Sequence, residues 1–130
     1  MPHAWIEYSA NIKDEPEVQT LKETLYRAAL ETGIFPIGGI RVRAQVIDDY
    51  IVGDAHPDNG FVHIVLRIGS GRDMDVKKAA ADRAFAQIKE HLKSLAKRAP
   101  LAVAFEVQEM SVDLNYKFNN LHEHIQRRQN

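Results

Sequence analysis

Phe61-Val62-His63-Ile64-Val65-Leu66-Arg67-Ile68 reads as a strand apolar on both faces. Asp58-Asn59-Gly60 before it is a turn signal. After it, Gly69-Ser70-Gly71-Arg72 turns the chain into a helix expected to begin near Asp75. Val76, Ala80, Ala84, Ile88, Leu92 and Leu95 form that helix's apolar stripe. Pro100 marks its end, and Leu101 to Gln108 is the next strand, with Leu101, Val103, Phe105 and Val107 on one side.

The first half repeats this order. His3 to Tyr8 alternates, with Ala4, Ile6 and Tyr8 on one side and His3, Trp5 and Glu7 on the other. Asp14 is the expected N-cap of a helix, with Glu17 completing a capping box and Pro16 in the first turn. Val18, Leu21, Leu25, Ala28 and Ala29 recur at helical spacing, and Gly33 is the stop. A strand is expected from about Ile40 to Ile47, with Val42, Ala44 and Val46 facing one way and Arg41, Arg43 and Gln45 the other.

At a shift of 60 residues, Pro2-His3 falls on Val62-His63 and Arg41-Val42-Arg43-Ala44 on Leu101-Ala102-Val103-Ala104. The expected fold is α+β. Two tandem β-α-β units, about 2–48 and 61–108, make right-handed crossovers and form a four-stranded sheet with two helices on one face. The chain is then a single domain over residues 1–130 with a C-terminal tail, 109–130. The uncovered sheet face would carry His3, Trp5, Arg41 and Arg43, and such a face invites oligomerisation.

Composition excludes several functions. The 130 residues are 45% hydrophobic and 27% charged, with a net charge of −1. That balance offers no broad basic field for nucleic acid. The chain has no cysteine, so disulfides, thiolate nucleophiles and thiolate metal sites are ruled out. No signal peptide and no membrane span is visible, and a cytoplasmic location is expected. The six histidines show no zinc-helix spacing, and His122-Glu123-His124 is too tight for it. His3 and His63 hold matching structural places, while His56 and His91 have no evident partner. The acidic loop from Asp48 to Gly60 reads as a solvated turn, not an ordered calcium loop. No metal and no organic cofactor is expected.

Pro2 opens the first strand behind a methionine that ordinary processing removes before a small residue. A terminal amine has a pKa of about 7.7–8.0, and burial or nearby cations lower it toward a useful base. Arg41 follows Gly39 closely, Arg43 shares its face, and Arg72 ends a glycine-rich turn. Arginines gathered near Pro2 would hold a small dianion in forked hydrogen bonds and depress the amine further. Read by spacing alone, the same arginines also suit surface or intersubunit ion pairs. The tail Leu114-Asn115-Tyr116-Lys117-Phe118-Asn119-Asn120-Leu121 mixes aromatics and amides as an interface segment does, and Gln126 to Asn130 is expected to fray.

Pro2 and the repeated unit resemble the tautomerase superfamily, and more closely its 5-carboxymethyl-2-hydroxymuconate delta-isomerase family. The likeness covers nearly the whole chain. It rests on Met1-Pro2-His3, Thr32-Gly33-Ile34-Phe35-Pro36, Gly39-Ile40-Arg41-Val42-Arg43, Phe61-Val62-His63, Ile68-Gly69-Ser70-Gly71-Arg72, Phe105-Glu106 and Leu114 to Asn120. The resemblance implies a homotrimer with sheets packed inward, and Pro2, Arg41 and Arg72 as active-site residues. Arg43 matches the family pattern as a substrate-binding position. Val62 stands where a second proline would, so one site per subunit is expected. The implied substrate is an unsaturated 2-hydroxy di- or tricarboxylate, isomerised with Pro2 as general base and no cofactor. Two other readings stay open. One is a different superfamily reaction, such as phenylpyruvate-like tautomerisation or hydration of a haloacrylate. The other is a non-catalytic trimer that binds a small acid. The loop from Asp49 to Asn59 departs most from the family pattern.

Overall fold

A computed structural model describes residues 1–129; Asn130, the end of the stretch expected to fray, lies outside the described residues. The order is β1 (His3–Ser9), a 3-10 turn (Ala10–Ile12), α1 (Pro16–Gln19), α2 (Leu21–Glu31), a second 3-10 turn (Ile37–Gly39) and β2 (Arg41–Ile47). Then come β3 (Gly60–Ile68), α3 (Met74–Arg98), β4 (Leu101–Glu109) and α4 (Leu121–Gln129). The sheet runs β2-β1-β3-β4. β1 pairs parallel with β2, β3 parallel with β4, and β1 antiparallel with β3. Two β-α-β units thus meet at the centre of one sheet, as the repeat predicts.

The core lies between the sheet and the helices. Ala4 and Ile6 of β1 and Val62, Ile64, Leu66 and Ile68 of β3 are buried beneath Leu21, Leu25, Ile88, Leu92 and Leu95. The first helical stripe is buried throughout. In α3 the stripe is buried from Ala84 onward, whereas Val76 is exposed and Ala80 borders a crevice beside Pro2. Gly33 follows α2 at φ 72°, a left-handed conformation that favours glycine and ends the helix.

Several expectations change. The superposition at 60 residues holds for the first strands only. His3 pairs with Arg41, but His63 pairs with Ala104, so the second unit's return strand lies three residues further on. Parallel partners share a face, which puts Arg41 in the place of Ala104 and Arg43 in that of Glu106. The longer crossover through the 25-residue α3 accounts for the offset.

The first helix is broken at Thr20, whose hydroxyl donates back to the Pro16 carbonyl at 2.8 Å. Glu15, not Asp14, takes the N-cap place, and no side chain caps it. Glu17 bonds instead to Arg98 and Ser94, each at 2.6 Å, because charge-assisted bonds to a guanidinium outweigh a capping bond.

His91 is well partnered. Its ring nitrogens lie 2.8 Å from Thr24 Oγ1 and 2.8 Å from the Glu17 carbonyl. His56 Nδ1 accepts from the Asp58 amide at 3.1 Å. Finally, Gln126 to Gln129, read from the sequence as part of a fraying end, belong to α4. No helix among the described residues is long and apolar enough to cross a membrane.

Candidate active site

The site forms where the start of β1 meets the loop before β2. The Arg41 amide donates to the Pro2 carbonyl at 3.0 Å, which fixes Pro2 at the sheet edge of that loop. Pro2 is buried. Gly39 packs beside it, where even a Cβ would make only ordinary contacts, 3.4 Å from Met1 Cα and 3.5 Å from Pro2 Cδ. Beneath Pro2 the crevice lined by Phe35, Ile40, Leu66 and Ala80 has a volume of about 10 Å³, enough for one water at most. Ligand must therefore approach from the Met1 side.

Two arginines are held toward that side by backbone carbonyls. Arg41 Nη1 donates to Gly39 O at 2.9 Å and Gly38 O at 3.3 Å. Arg72 donates to Ile34 O at 3.0 Å and Gly69 O at 3.3 Å, with its guanidinium 5.0 Å from the Phe35 ring centre. Both keep donors to spare, since a guanidinium has five. No carboxylate pairs with Arg41, Arg43 or Arg72 among the described residues; the ion pairs lie elsewhere.

The terminal amine senses this field. Burial holds the Met1 amine below its ordinary value, and the charges of Lys117, Arg72 and Arg41 lower it further. The structure therefore brings Arg41 and Arg72 together around the chain start, as the sequence reading expects. It also adds Lys117, which that reading passes over as part of the tail.

Arg43 is set apart on the uncovered sheet face. Its guanidinium lies 3.9 Å from the Trp5 ring centre and Nη1 is 3.3 Å from His3 Nδ1. His3 stacks on Trp5 at 5.7 Å. Burial, then Arg43, Arg41, the terminal amine and Arg67, push the His3 pKa down. His3 is thus neutral at pH 7, accepting at Nδ1 from Arg43. Among the described residues no group of three His, Cys, Asp or Glu is placed to hold a metal.

A family model described as 5-carboxymethyl-2-hydroxymuconate isomerase matches residues 2–125. The chain belongs to the 5-carboxymethyl-2-hydroxymuconate isomerase family. It is 37% identical over 122 residues to a 5-carboxymethyl-2-hydroxymuconate Delta-isomerase of Escherichia coli, covering 94% of this chain and 97% of that one. A solved 5-carboxymethyl-2-hydroxymuconate isomerase from Deinococcus radiodurans R1 superposes with a TM-score of 0.87 at 36% identity, over 95% of this chain and 93% of that one. Another solved delta-isomerase of the same name gives 0.87 at 26% identity, over 96% and 93%. The isomerase family thus shares this tautomerase-like α+β fold along nearly its full length.

Proposed function

We propose that this chain isomerises 5-carboxymethyl-2-hydroxymuconate, with the amine of Pro2, freed by removal of Met1, as general base. The observation that carries the reading is the cluster of cations around the chain start, Arg41, Arg72 and Lys117, none of them in an ion pair among the described residues. Such a cluster suits a polyanion and shifts a nearby amine toward its neutral form. A neutral amine favours the base role over hydration, which would use a cationic proline as acid.

In the proposed reaction, Pro2 nitrogen accepts the proton of the dienol hydroxyl. The oxygen electrons form the ketone, the double bond shifts, and Pro2 returns its proton to a ring-opened carbon. Arg41 and Arg72 bind substrate carboxylates and stabilise the oxyanion that develops. Proton transfer of this kind needs no metal or organic cofactor.

Arg43 stands apart from the other two arginines, and kinetics assign it. A KM rise for Arg43→Ala equal to that of Arg41→Ala extends substrate contact to the sheet face. A rise below about threefold confines contact to Arg41 and Arg72.

A homotrimer completes the proposal. Its support is the uncovered face bearing His3, Trp5 and Arg43, together with a tail whose Leu114, Tyr116 and Phe118 are exposed. The experiment that tests the function follows 5-carboxymethyl-2-hydroxymuconate by ultraviolet absorbance with Met1-free protein and with Pro2→Ala. Turnover lost in the variant supports the base role. No turnover by the processed protein overturns the proposed substrate.

A further inference from the structure

The C-terminal tail reaches back to the chain start. Asn119 Nδ2 donates to the Gly38 carbonyl at 3.1 Å, the same carbonyl that Arg41 uses. Asn119 Oδ1 accepts from the Leu121 amide at 2.8 Å, at the start of α4. His122 lies against Gly38 so closely that a Cβ there would be 2.5 Å from its Nδ1. The Asn119 bond and the His122 packing, both on Gly38, thus hold the segment beside the site.

The second donor of the same amide meets Met1. Asn119 Nδ2 lies 3.5 Å from Met1 Sδ. Thioether sulfur is a weak acceptor. Removal of Met1 frees this N–H to face the space next to the Pro2 nitrogen, where a reacting molecule must sit. Lys117, two residues earlier, has no ion-pair or hydrogen-bond partner among the described residues. Its charge acts on the terminal amine alongside those of Arg72 and Arg41.

We propose that Lys117 and Asn119 form a third carboxylate subsite, which makes the pocket selective for a tricarboxylate over a dicarboxylate. The inference rests on the isomerase reading for its substrate, 5-carboxymethyl-2-hydroxymuconate, whose two muconate carboxylates and carboxymethyl group make three anions. Arg41, Arg72 and Lys117 offer one cation for each. Lys117 and Asn119 bind one of the three carboxylates beside the chain start and take no part in the proton transfer, so their contribution is to affinity and choice of substrate.

The test uses two unreactive ligands that differ by one carboxylate, propane-1,2,3-tricarboxylate and pentanedioate. Binding to Met1-free protein is measured by calorimetry at pH 7.5. The wild-type protein should prefer the tricarboxylate by about tenfold, the scale of one charge-assisted hydrogen bond. Lys117→Met keeps the aliphatic stem and should reduce that preference to within about twofold, with pentanedioate affinity unchanged. Lys117→Arg should restore it. Asn119→Asp keeps the acceptor for Leu121 while losing the donor, and should weaken the tricarboxylate selectively. Preference surviving in Lys117→Met, equal loss of both ligands, or no preference in the wild type overturns the subsite. The readout is independent of turnover. A preference that disappears as expected in a protein that does not isomerise 5-carboxymethyl-2-hydroxymuconate would leave the subsite standing and remove the isomerase reading.

Discussion

The two β-α-β units share a backbone plan and divide the work. In the first, the strand start carries Pro2, and its return strand opens with Arg41. In the second, Val62 stands where Pro2 does, and Ala104 pairs with His63 where Arg41 pairs with His3. The second unit contributes Arg72 from the loop after β3, together with most of the deeply buried strand residues. A duplicated unit need not duplicate its chemistry. In the proposed reaction one copy supplies packing while the other, which owns the chain start, supplies the reactive nitrogen.

The largest break in that comparison is Pro2→Ala against Val62→Ala. The first should lower turnover by about 10²–10⁴-fold, the range for a general base, with little change in melting temperature. The second should leave turnover per folded molecule intact while costing about 2 kcal/mol of stability, read by urea unfolding, because Val62 is fully buried. A large stability loss from Pro2→Ala would return Pro2 to the packing role of Val62.

Arg72→Ala asks whether the second unit really reaches the site. Its expected effect is about 10²-fold in kcat/KM, with both KM and kcat affected. An effect on stability alone would make Arg72 only a fastener of the Ile34 and Gly69 carbonyls.

The pH profile sharpens the contrast. The cations that lower the Met1 amine also face the Pro2 nitrogen, so with Pro2 as base kcat/KM should rise with pH through the Pro2 amine's own pKa and then level off. A profile that falls with rising pH in that range would indicate an acid, not a base.

Away from the site, Glu17 is held down to about 2 by hydrogen bonds from Arg98 and Ser94, opposed by slight desolvation. A depressed carboxylate stabilises the fold above its unfolded value. That contribution should be lost as pH falls from about 4.5 toward 2. Arg98→Ala should remove this part of the acid dependence, seen as a flatter melting temperature against pH over the same window.

The smallest effect concerns the linker between the units. Ala55 sits at φ 68°, so Ala55→Gly should raise stability by about 0.5–1 kcal/mol in urea unfolding.

The strands, their inward faces and the pairing of units were legible because burial imposes periods of 2 and 3.6 on the apolar residues. Ala4 and Ile6 in a strand, or Ile88 and Leu92 in a helix, declare their side by type alone. Register was only half legible. A shift of 60 lays Arg41 on Leu101, an outward residue on an inward one, and an odd slip is needed to restore the faces. Alternation demands that parity without saying how far to slide, and the length of α3 decides the distance. Glu17 misled for another reason: the local capping pattern was complete, while the partner that prevailed, Arg98, lies 81 residues away. At the site, Arg41 and Arg72 were conspicuous for their glycine-rich settings. Lys117 and Asn119 were not, since α4 buries no residue and the tail before it carries no periodic signal. Their position depends on the contacts of Asn119 and His122 with Gly38, which no local spacing announces.

Met1 itself has a consequence for the order of events during synthesis. In the folded chain its half-buried backbone packs beside Gly39 and its sulfur lies 3.5 Å from Asn119 Nδ2. A peptidase that must grip an extended terminus has little to hold once β1 has joined the sheet. In the proposed reaction Pro2 must be free, so methionine excision would fall on the nascent chain, before the tail has left the ribosome and closed over it. On the proposed mechanism, a preparation made faster than its methionine is trimmed would contain correctly folded molecules that stay latent, visible as a second mass and as active-site counts below one per chain.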